Sequence, residues 1–262
     1  MSKILLINDF VSKGKIAGNI MDACLSYKLH QCYFLPTALI SHNFSLGNIA
    51  KLDTSSYIKD CLDSWDKLGF TFDIIFIGYV ENKKQKDLII DYINKIKYNP
   101  LIVLDPIMGD EGKLYKNVNS DKLEIYKDLL QIAHILIPNS TEAKFLGLCD
   151  FDKLLATNKK YLITSLDNEN KPYNLVIDKD LYKVYYDKID LNYGGTGDLF
   201  DSLFLDYYIK TKDLKKSLEL TTIDISKILK IQKEKYGNYP SLAIESILSE
   251  IYGGKYAWKK IL

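Results

Sequence analysis

Short apolar runs alternate with longer amphipathic stretches through most of this chain, and no other feature limits its fold so strongly. "KILLI" (3–7), "CYFLP" (32–36), "DIIFIG" (73–78), "LIVLD" (101–105), "HILIP" (134–138) and "KYLIT" (160–164) have the length and branched-aliphatic content of buried strands. Helical spacing fills 18–29, 55–69, 82–97 and 120–133 between them, with a short helix over 140–147. Ser55 reads as a cap, and Gly69 and Gly147 as stops. "YNLVID" (173–178) and "LYKVYY" (181–186) read as a hairpin over a Lys-Asp turn, and residues from 196 onward as mostly helical to the end. Such alternation implies a mainly parallel sheet covered by helices on both faces. No repeat, low-complexity linker or Pro/Ser-rich boundary interrupts the 262 residues, so one domain over 1–262 is expected. In sheets of this kind a ligand lies beyond the carboxyl ends of the strands. Those ends are Asn8–Asp9, Thr37, Gly78–Tyr79, Asp105, Asn139 and Thr164–Ser165, each polar or glycine.

Charge narrows the partners. The formal net charge is +1, which gives no bulk attraction to nucleic acid or an acidic membrane, and neither is expected as a partner. All 35 basic residues are lysine, so no bidentate guanidinium clamp is available. Anions must be held by lysine, by backbone N–H groups or by a metal. Cys24, Cys32, Cys61 and Cys149 show no C-x-x-C spacing and there are only three histidines, which argues against structural zinc. No run is long enough to span a membrane, and "MSKILLINDF" is too short in apolar residues for a secretory signal. A reducing, cytoplasmic setting is the expectation.

Three stretches carry chemistry. "GGTGDLF" (194–200) puts glycines directly before a helix start. Gly194, Gly195 and Gly197 permit positive φ and leave no Cβ in a ligand's way. The N–H groups of 195–198 would form an anion cradle, with Asp198 beside it as a base. That pairing is the minimum for phosphoryl transfer to an alcohol. Taken alone the stretch is equally a glycine turn with an acidic first-turn cap. "DPIMGDEGKLY" (105–115) opens with Asp105 at a strand end, where an acid suits Mg²⁺ shared with phosphates, or caps a turn. "IPNSTEAKFLG" (137–147) places Asn139 at a strand end and Glu142 in the next first turn, as a second metal or phosphate arm or as a capping arrangement. No P-loop pattern is present.

Together these stretches resemble the pyridoxal/pyridoxamine kinase branch of the ribokinase-like (PfkB-type) family. "PTALIS" (36–41), "DSWDKLGFTFDIIFIGY" (63–79), "VLDPIMGDEGKLY" (103–115), "ILIPNSTEAKFLG" (135–147), "LITS" (162–165) and "GGTGDLF" occur in the family's order. The resemblance implies an α/β fold: a three-layer α/β/α sandwich with a mainly parallel central sheet. It implies ATP-dependent phosphorylation of the 5′-hydroxymethyl group of pyridoxal, pyridoxamine or pyridoxine in pyridoxal phosphate salvage. ATP and Mg²⁺ are the implied cofactors, with a monovalent cation such as K⁺, and a homodimer is the implied assembly. Carried over residue by residue, Gly195, Thr196 and Gly197 form the anion hole and Asp198 is the catalytic base. Asp105, Tyr115, Asn139, Glu142, Thr164 and Ser165 lie on the nucleotide side, with Asp105 and Glu142 toward the metal. Asp9, Thr37 and Tyr79 lie on the vitamer side. Lys113 is a candidate for charge an arginine carries elsewhere. The chain departs from the pattern at Ile137, where the family has threonine, and at Asp201, where a small residue is common. It also reads "YVEN" after Gly78 and looks shortened over 148–160. Relatives that phosphorylate hydroxymethylpyrimidine usually carry cysteine in place of Asp198. A hydroxymethylpyrimidine or other small-alcohol kinase, or a weakly catalytic binding protein, remains the alternative.

Overall fold

Successive side chains of a strand point to opposite faces, and here both faces are apolar. Ile4 and Leu6 of β1 (Lys3–Val11) pack into one core with Phe76 and Val103, while Leu5 and Ile7 join a second core with Ile75 and Leu104. A strand buried on both sides must be central, and β1 lies between β2 (Gln31–Ile40) and β4 (Ile74–Ile77), parallel to each. The computed structural model describes residues 1–253 apart from 44, 45, 117, 170, 190–192, 238 and 240. Beyond β4 come β5 (Leu101–Leu104), β8 (Ile135–Leu136) and β9 (Lys160–Asn168), all parallel. Then β10 (Lys171–Ile177) and β11 (Leu181–Tyr185) add antiparallel, and β3 (Lys51–Asp53) closes the opposite edge. The nine-stranded order is β11-β10-β9-β8-β5-β4-β1-β2-β3. A separate ribbon, β6 (Gly109–Asp110) with β7 (Lys113–Leu114), follows β5.

Helices cover both faces, as the α/β/α expectation requires. Helices α2 (Ser55–Lys67), α3 (Lys83–Lys95) and α4 (Ser120–Ile132) cover one face through Ile58, Leu62, Ile89, Tyr126 and Leu129. Helices α1 (Gly18–Tyr27), α7 (Thr196–Thr211) and α8 (Leu214–Tyr236) cover the other through Met21, Leu25, Phe204, Leu205 and Leu218. Helix α9 (Ile244–Tyr252) packs outside these against Ile20, Leu203 and Ile228. Two short helices, α5 (Ser140–Phe145) and α6 (Phe151–Leu155), flank the strand β8–β9 connection. Five residues of α6 fit the shortening read over 148–160.

Several local expectations shift. Thr54, not Ser55, is the N-cap of α2; Ser55 instead bonds Asp53. The antiparallel pairing of β9 with β10 was not legible, because "DNENKPYN" holds no apolar alternation and the pairing register slips between Tyr173 and Leu175. Strand β3 is fully exposed and three residues long, so periodicity could not find it. The expectation of helix to the end of the chain extends over 254–262, outside the described residues, as are 191 and 192 before the glycines. Among the described residues no helix is long and apolar enough to cross a membrane.

Candidate active site

A cleft of about 540 Å³ opens along the carboxyl ends of β5, β8 and β9 and the start of α7. Asp105, Tyr115, Asn139, Glu142, Thr164, Ser165, Gly195, Thr196, Gly197 and Asp198 all line it. These residues span ninety-odd positions of sequence, and the parallel sheet brings their strand ends to one rim. Asp9, Thr37 and Tyr79 do not line this cleft; Tyr79 lines a neighbouring cavity of about 490 Å³ with Lys51, Glu81 and Lys122.

Gly195 is the N-cap of α7 at φ 92°. A Cβ there would sit 3.1 Å from the Lys15 carbonyl oxygen and from Ile16 Cγ2, so both backbone angle and space require glycine. Gly194 and Gly197 are not left-handed, contrary to the reading that all three glycines serve positive φ. Gly197 lies within α7 with nothing within 4 Å of a Cβ; its lack of a side chain keeps the cleft open. The first N–H groups of a helix have no intrahelical acceptor and carry its positive dipole end. Here the residues that carry them, Gly195 to Asp198, line the cleft.

Asp198 sits in that first turn. Its Oδ1 accepts from Asn8 Nδ2 at 3.3 Å and its Oδ2 from the Ala17 N–H at 3.0 Å. Burial raises its pKa, and those hydrogen bonds only partly oppose the rise. The result is a carboxylate that holds a proton more readily than an exposed aspartate.

Asn8 is the residue that links the two cavities. Its Oδ1 accepts from the Tyr79 N–H at 2.9 Å and the Asp9 N–H at 3.0 Å, while its Nδ2 serves Asp198. Thr37 donates its hydroxyl to the Tyr79 carbonyl at 2.7 Å. So Thr37 and Tyr79 come together around Asn8, and Asp9 adjoins them. A Cβ on Gly78 would lie 2.8 Å from the Asn8 side chain, which explains that glycine. Asp9 is 7% exposed, and burial together with the charge of Asp198 pushes its pKa up to about 7.

The nucleotide-side acids divide into two states. Glu142 is fully engaged: Oε1 accepts from the Met108 N–H at 3.0 Å and the Gly109 N–H at 3.4 Å, and Oε2 from the Asn139 N–H at 2.9 Å. Asn139 completes a capping box by accepting from the Glu142 N–H at 3.0 Å, and it donates to the Gly109 carbonyl at 2.8 Å. The capping reading of "PNSTEA" is the one these hydrogen bonds show, and the cap also anchors the 105–115 turn at the cleft. Burial, then the charge of Asp105, raises the Glu142 pKa well above the carboxylate range. Asp105, half-buried at the end of β5, shares a hydrogen bond with Asp201, and burial with that neighbour raises its pKa strongly. These hard oxygen donors suit a hard cation shared with phosphates. Ile137 is buried beside them and offers no hydroxyl. Thr164 donates its N–H to the Pro138 carbonyl at 3.0 Å, and Ser165, at φ 57°, donates its own to Asn174 Oδ1 at 3.1 Å.

Sequence reasoning missed three features. Lys113 is exposed in β7 and does not line the cleft; among the described residues Lys188 is the lysine that does. Phe200 of α7 and Thr222, Ile225 and Leu229 of α8 form a mostly apolar part of the cleft lining. Those α8 residues carry ordinary helical spacing, so nothing separated them from core. Asn8 appeared only as a polar strand end, because its role depends on partners 71 and 190 residues away.

The profile of the phosphomethylpyrimidine kinase family matches residues 30–239. A pyridoxal kinase of Arabidopsis thaliana is 30% identical over 201 residues, which is 67% of this chain and 63% of that one. A pyridoxal kinase of Corynebacterium diphtheriae is 24% identical over 92% of this chain and 98% of that one. A crystal structure from Bacteroides thetaiotaomicron, named for phosphomethylpyrimidine kinase and containing pyridoxal, superposes with a TM-score of 0.85 at 25% identity, over 95% of each chain. Pyridoxal kinase from Lactobacillus plantarum has the same fold, with a TM-score of 0.84 at 22% identity over 96% of this chain and 98% of that one. With this fold, this cleft and these motifs, the chain belongs to the phosphomethylpyrimidine kinase family, the group of ribokinase-like proteins that takes in the pyridoxal kinases.

Proposed function

We propose that this chain transfers the γ-phosphoryl group of ATP to the 5′-hydroxymethyl group of a vitamin B6 vitamer, a step of pyridoxal phosphate salvage. The observation that carries the reading is the position of Asp198. It lies at the open N-terminus of α7 and is tied through Asn8 to Tyr79 and Thr37. It therefore stands between a phosphate cradle on one side and, on the other, a largely polar cavity to which Tyr79 contributes an aromatic ring. The pyridoxal in the Bacteroides structure and the pyridoxal kinases among the relatives support a vitamer over a pyrimidine.

In this reading Asp198 takes the hydroxyl proton, and the oxygen attacks the γ-phosphorus in line as the bond to the β–γ bridging oxygen breaks. The N–H groups at 195–197 receive charge that develops on the phosphoryl oxygens. Lys188 adds the one side-chain cation among the described residues that line the cleft. Mg²⁺, when bound, supplies neutralisation of phosphate charge; Asp105 would hold it while Glu142 fixes the 105–115 turn. The nucleobase would lie against the apolar part of the lining, between Phe200, Ile225 and Leu229, where the Thr222 hydroxyl is buried without a hydrogen bond. Asp9, Thr37 and Tyr79 would face the pyridine ring. A homodimer, a monovalent cation such as K⁺ and a cytoplasmic location belong to the same reading and rest on resemblance.

A panel of pyridoxal, pyridoxamine, pyridoxine and hydroxymethylpyrimidine with ATP and Mg²⁺, scored for both binding and turnover, tests the reading. Turnover of a vitamer is the expected result. Turnover of hydroxymethylpyrimidine alone would move the chain to the pyrimidine branch, and binding without turnover of any compound would make it a binding protein.

A further inference from the structure

Only two buried side-chain polar atoms among the described residues lack a hydrogen-bond partner, and both belong to residues lining the same cleft. One is Thr222 Oγ1, in the mostly apolar part of its lining. The other is Asp201 Oδ2, at its acidic floor. Asp201 is 2% exposed. A carboxylate oxygen held out of water with no donor is far more costly than an unpaired hydroxyl, so this atom is the stronger pointer to an absent ligand.

The surroundings say what kind of ligand. Asp201 is hydrogen-bonded to Asp105, and the charges that bear most on the pair are those of Asp198 and Glu142. All are acidic. A bound anion is excluded there, and a neutral donor would leave the accumulated charge uncompensated. A proton shared within the Asp105–Asp201 pair would satisfy the contact between them but still leave Asp201 Oδ2 without a donor. Glu142 cannot meet the need, because both its oxygens are taken by backbone N–H groups. The side chain of Ile137, on the cleft wall, provides neither donor nor acceptor.

We propose that Asp201, together with Asp105, seats a divalent cation in the floor of the cleft, with Asp201 Oδ2 as a direct ligand. The proposal rests on the reading of this cleft as the nucleotide site and goes beyond it. It assigns metal binding to a residue that stands where the family pattern has a small side chain. Among the described residues no three His, Cys, Asp or Glu side chains gather into a closed metal cage. Two carboxylates make an open seat instead, which is what a small divalent ion shared with phosphates and water requires. Asp201 lies one helical turn beyond Asp198, so the same α7 that presents N–H donors to the phosphates would also present a carboxylate to their counter-ion.

The test uses Mn²⁺ as the probe, on the full chain without nucleotide. Free Mn²⁺ is followed by electron paramagnetic resonance, and thermal melts are run with and without the metal. The wild-type chain should bind one Mn²⁺ and melt higher in its presence. Asp201→Asn keeps shape and removes charge, so affinity should fall at least tenfold and the Mn²⁺-dependent rise in Tm should vanish. Without metal, the same variant should melt above wild type, because it relieves an acidic pair. Asp201→Ser, which restores a small side chain, should lose Mn²⁺ binding in the same way and guards against a misfolded Asn variant. Wild-type affinity in either folded variant would overturn the proposal, and so would a wild-type chain that takes up no Mn²⁺ at millimolar concentration. A chain that binds Mn²⁺ as described yet phosphorylates no vitamer would leave this inference standing and remove the proposed function; the converse result would do the opposite.

Discussion

Asp198→Asn looks like the mildest removal of the catalytic base, but the hydrogen bonds around it make the substitution more than chemical. Both Asp198 oxygens accept, from the Ala17 N–H at 3.0 Å and from Asn8 Nδ2 at 3.3 Å. An asparagine has one acceptor and one donor group, so its NH₂ must face either the Ala17 N–H or the Asn8 NH₂. Asn8 cannot turn to resolve the conflict, because its own oxygen already receives the Tyr79 and Asp9 N–H groups. One donor is therefore left facing a donor, at a cost of about 1–3 kcal/mol, and Tm should fall by roughly 2–4 °C per kcal/mol. Turnover should fall by roughly 10²- to 10⁴-fold, the scale of a positioned base. The double variant Asn8→Asp/Asp198→Asn separates the two effects. The carboxylate introduced at position 8 would accept from the Tyr79 and Asp9 N–H groups and from the new amide at position 198. The oxygen of that amide would accept from the Ala17 N–H, so every donor regains an acceptor. Thermal melts should return toward wild type while kcat stays low, because the carboxylate has left its place beside the N-terminus of α7. Steady-state kinetics on purified single and double variants, with melts on the same samples, provide the measurement. A near-normal kcat for folded Asp198→Asn would reduce the carboxylate to a cap. Recovery of kcat in the double variant would refute the claim that the base must stand at 198.

The glycines should split in behaviour. Gly195→Ala, strained at φ 92° and crowded by the Lys15 carbonyl, should lose about 1–3 kcal/mol in melts or denaturant titrations. Gly197→Val should melt near wild type, having open space before it, yet bind nucleotide at least tenfold more weakly by calorimetry; a large loss of stability would show that the space is not free. Asp9, with a folded pKa raised to about 7 against 3.8 unfolded, binds more protons folded than unfolded, so its contribution falls as pH rises between those values. Stability followed from pH 4 to 7 should decline more steeply for wild type than for Asp9→Asn, and equal slopes would place the titration elsewhere. Glu142→Gln should cost about 1 kcal/mol by breaking the Asn139 half of the capping box and should raise the Mg²⁺ needed for half-maximal rate. An unchanged Mg²⁺ requirement would leave Glu142 a purely structural role.

What the sequence disclosed and what it hid follow one physical line. Strand interiors such as "KILLI" and "LIVLD" announce themselves through apolar content, and their polar ends mark a rim. Hence Asp105, Asn139, Thr164 and the Gly195–Asp198 turn were legible and do line one cleft. Local spacing even gave both possible roles of Glu142, since a capping box is a four-residue pattern. Asn8 was hidden because a hub is defined by the direction of its side chain and by partners remote in sequence. Lys188 was hidden because a cleft-lining lysine and a solvated one look alike in a chain of 35 lysines. Asp201 was visible as an oddity, but only burial turned it from a charge on a helix into an unpaired oxygen.

The face of the sheet covered by α7 has a consequence for synthesis. Ile4, Leu6, Phe76 and Val103 need Phe204, Leu205 and Leu218 as their cover, and those residues leave the ribosome roughly a hundred positions after Val103. At about 5–20 residues per second, that interval lasts roughly 5–20 s. During it the nascent chain can assemble the α2–α3–α4 side of its sheet while the opposite side stays largely bare to solvent. The hydrogen bond from Asn8 to Asp198, across 190 residues, can form only toward the end of that interval. A ribosome-bound chain stalled before residue 196 should therefore be a strong client for chaperones that bind exposed apolar surface, and release from them should coincide with emergence of α7.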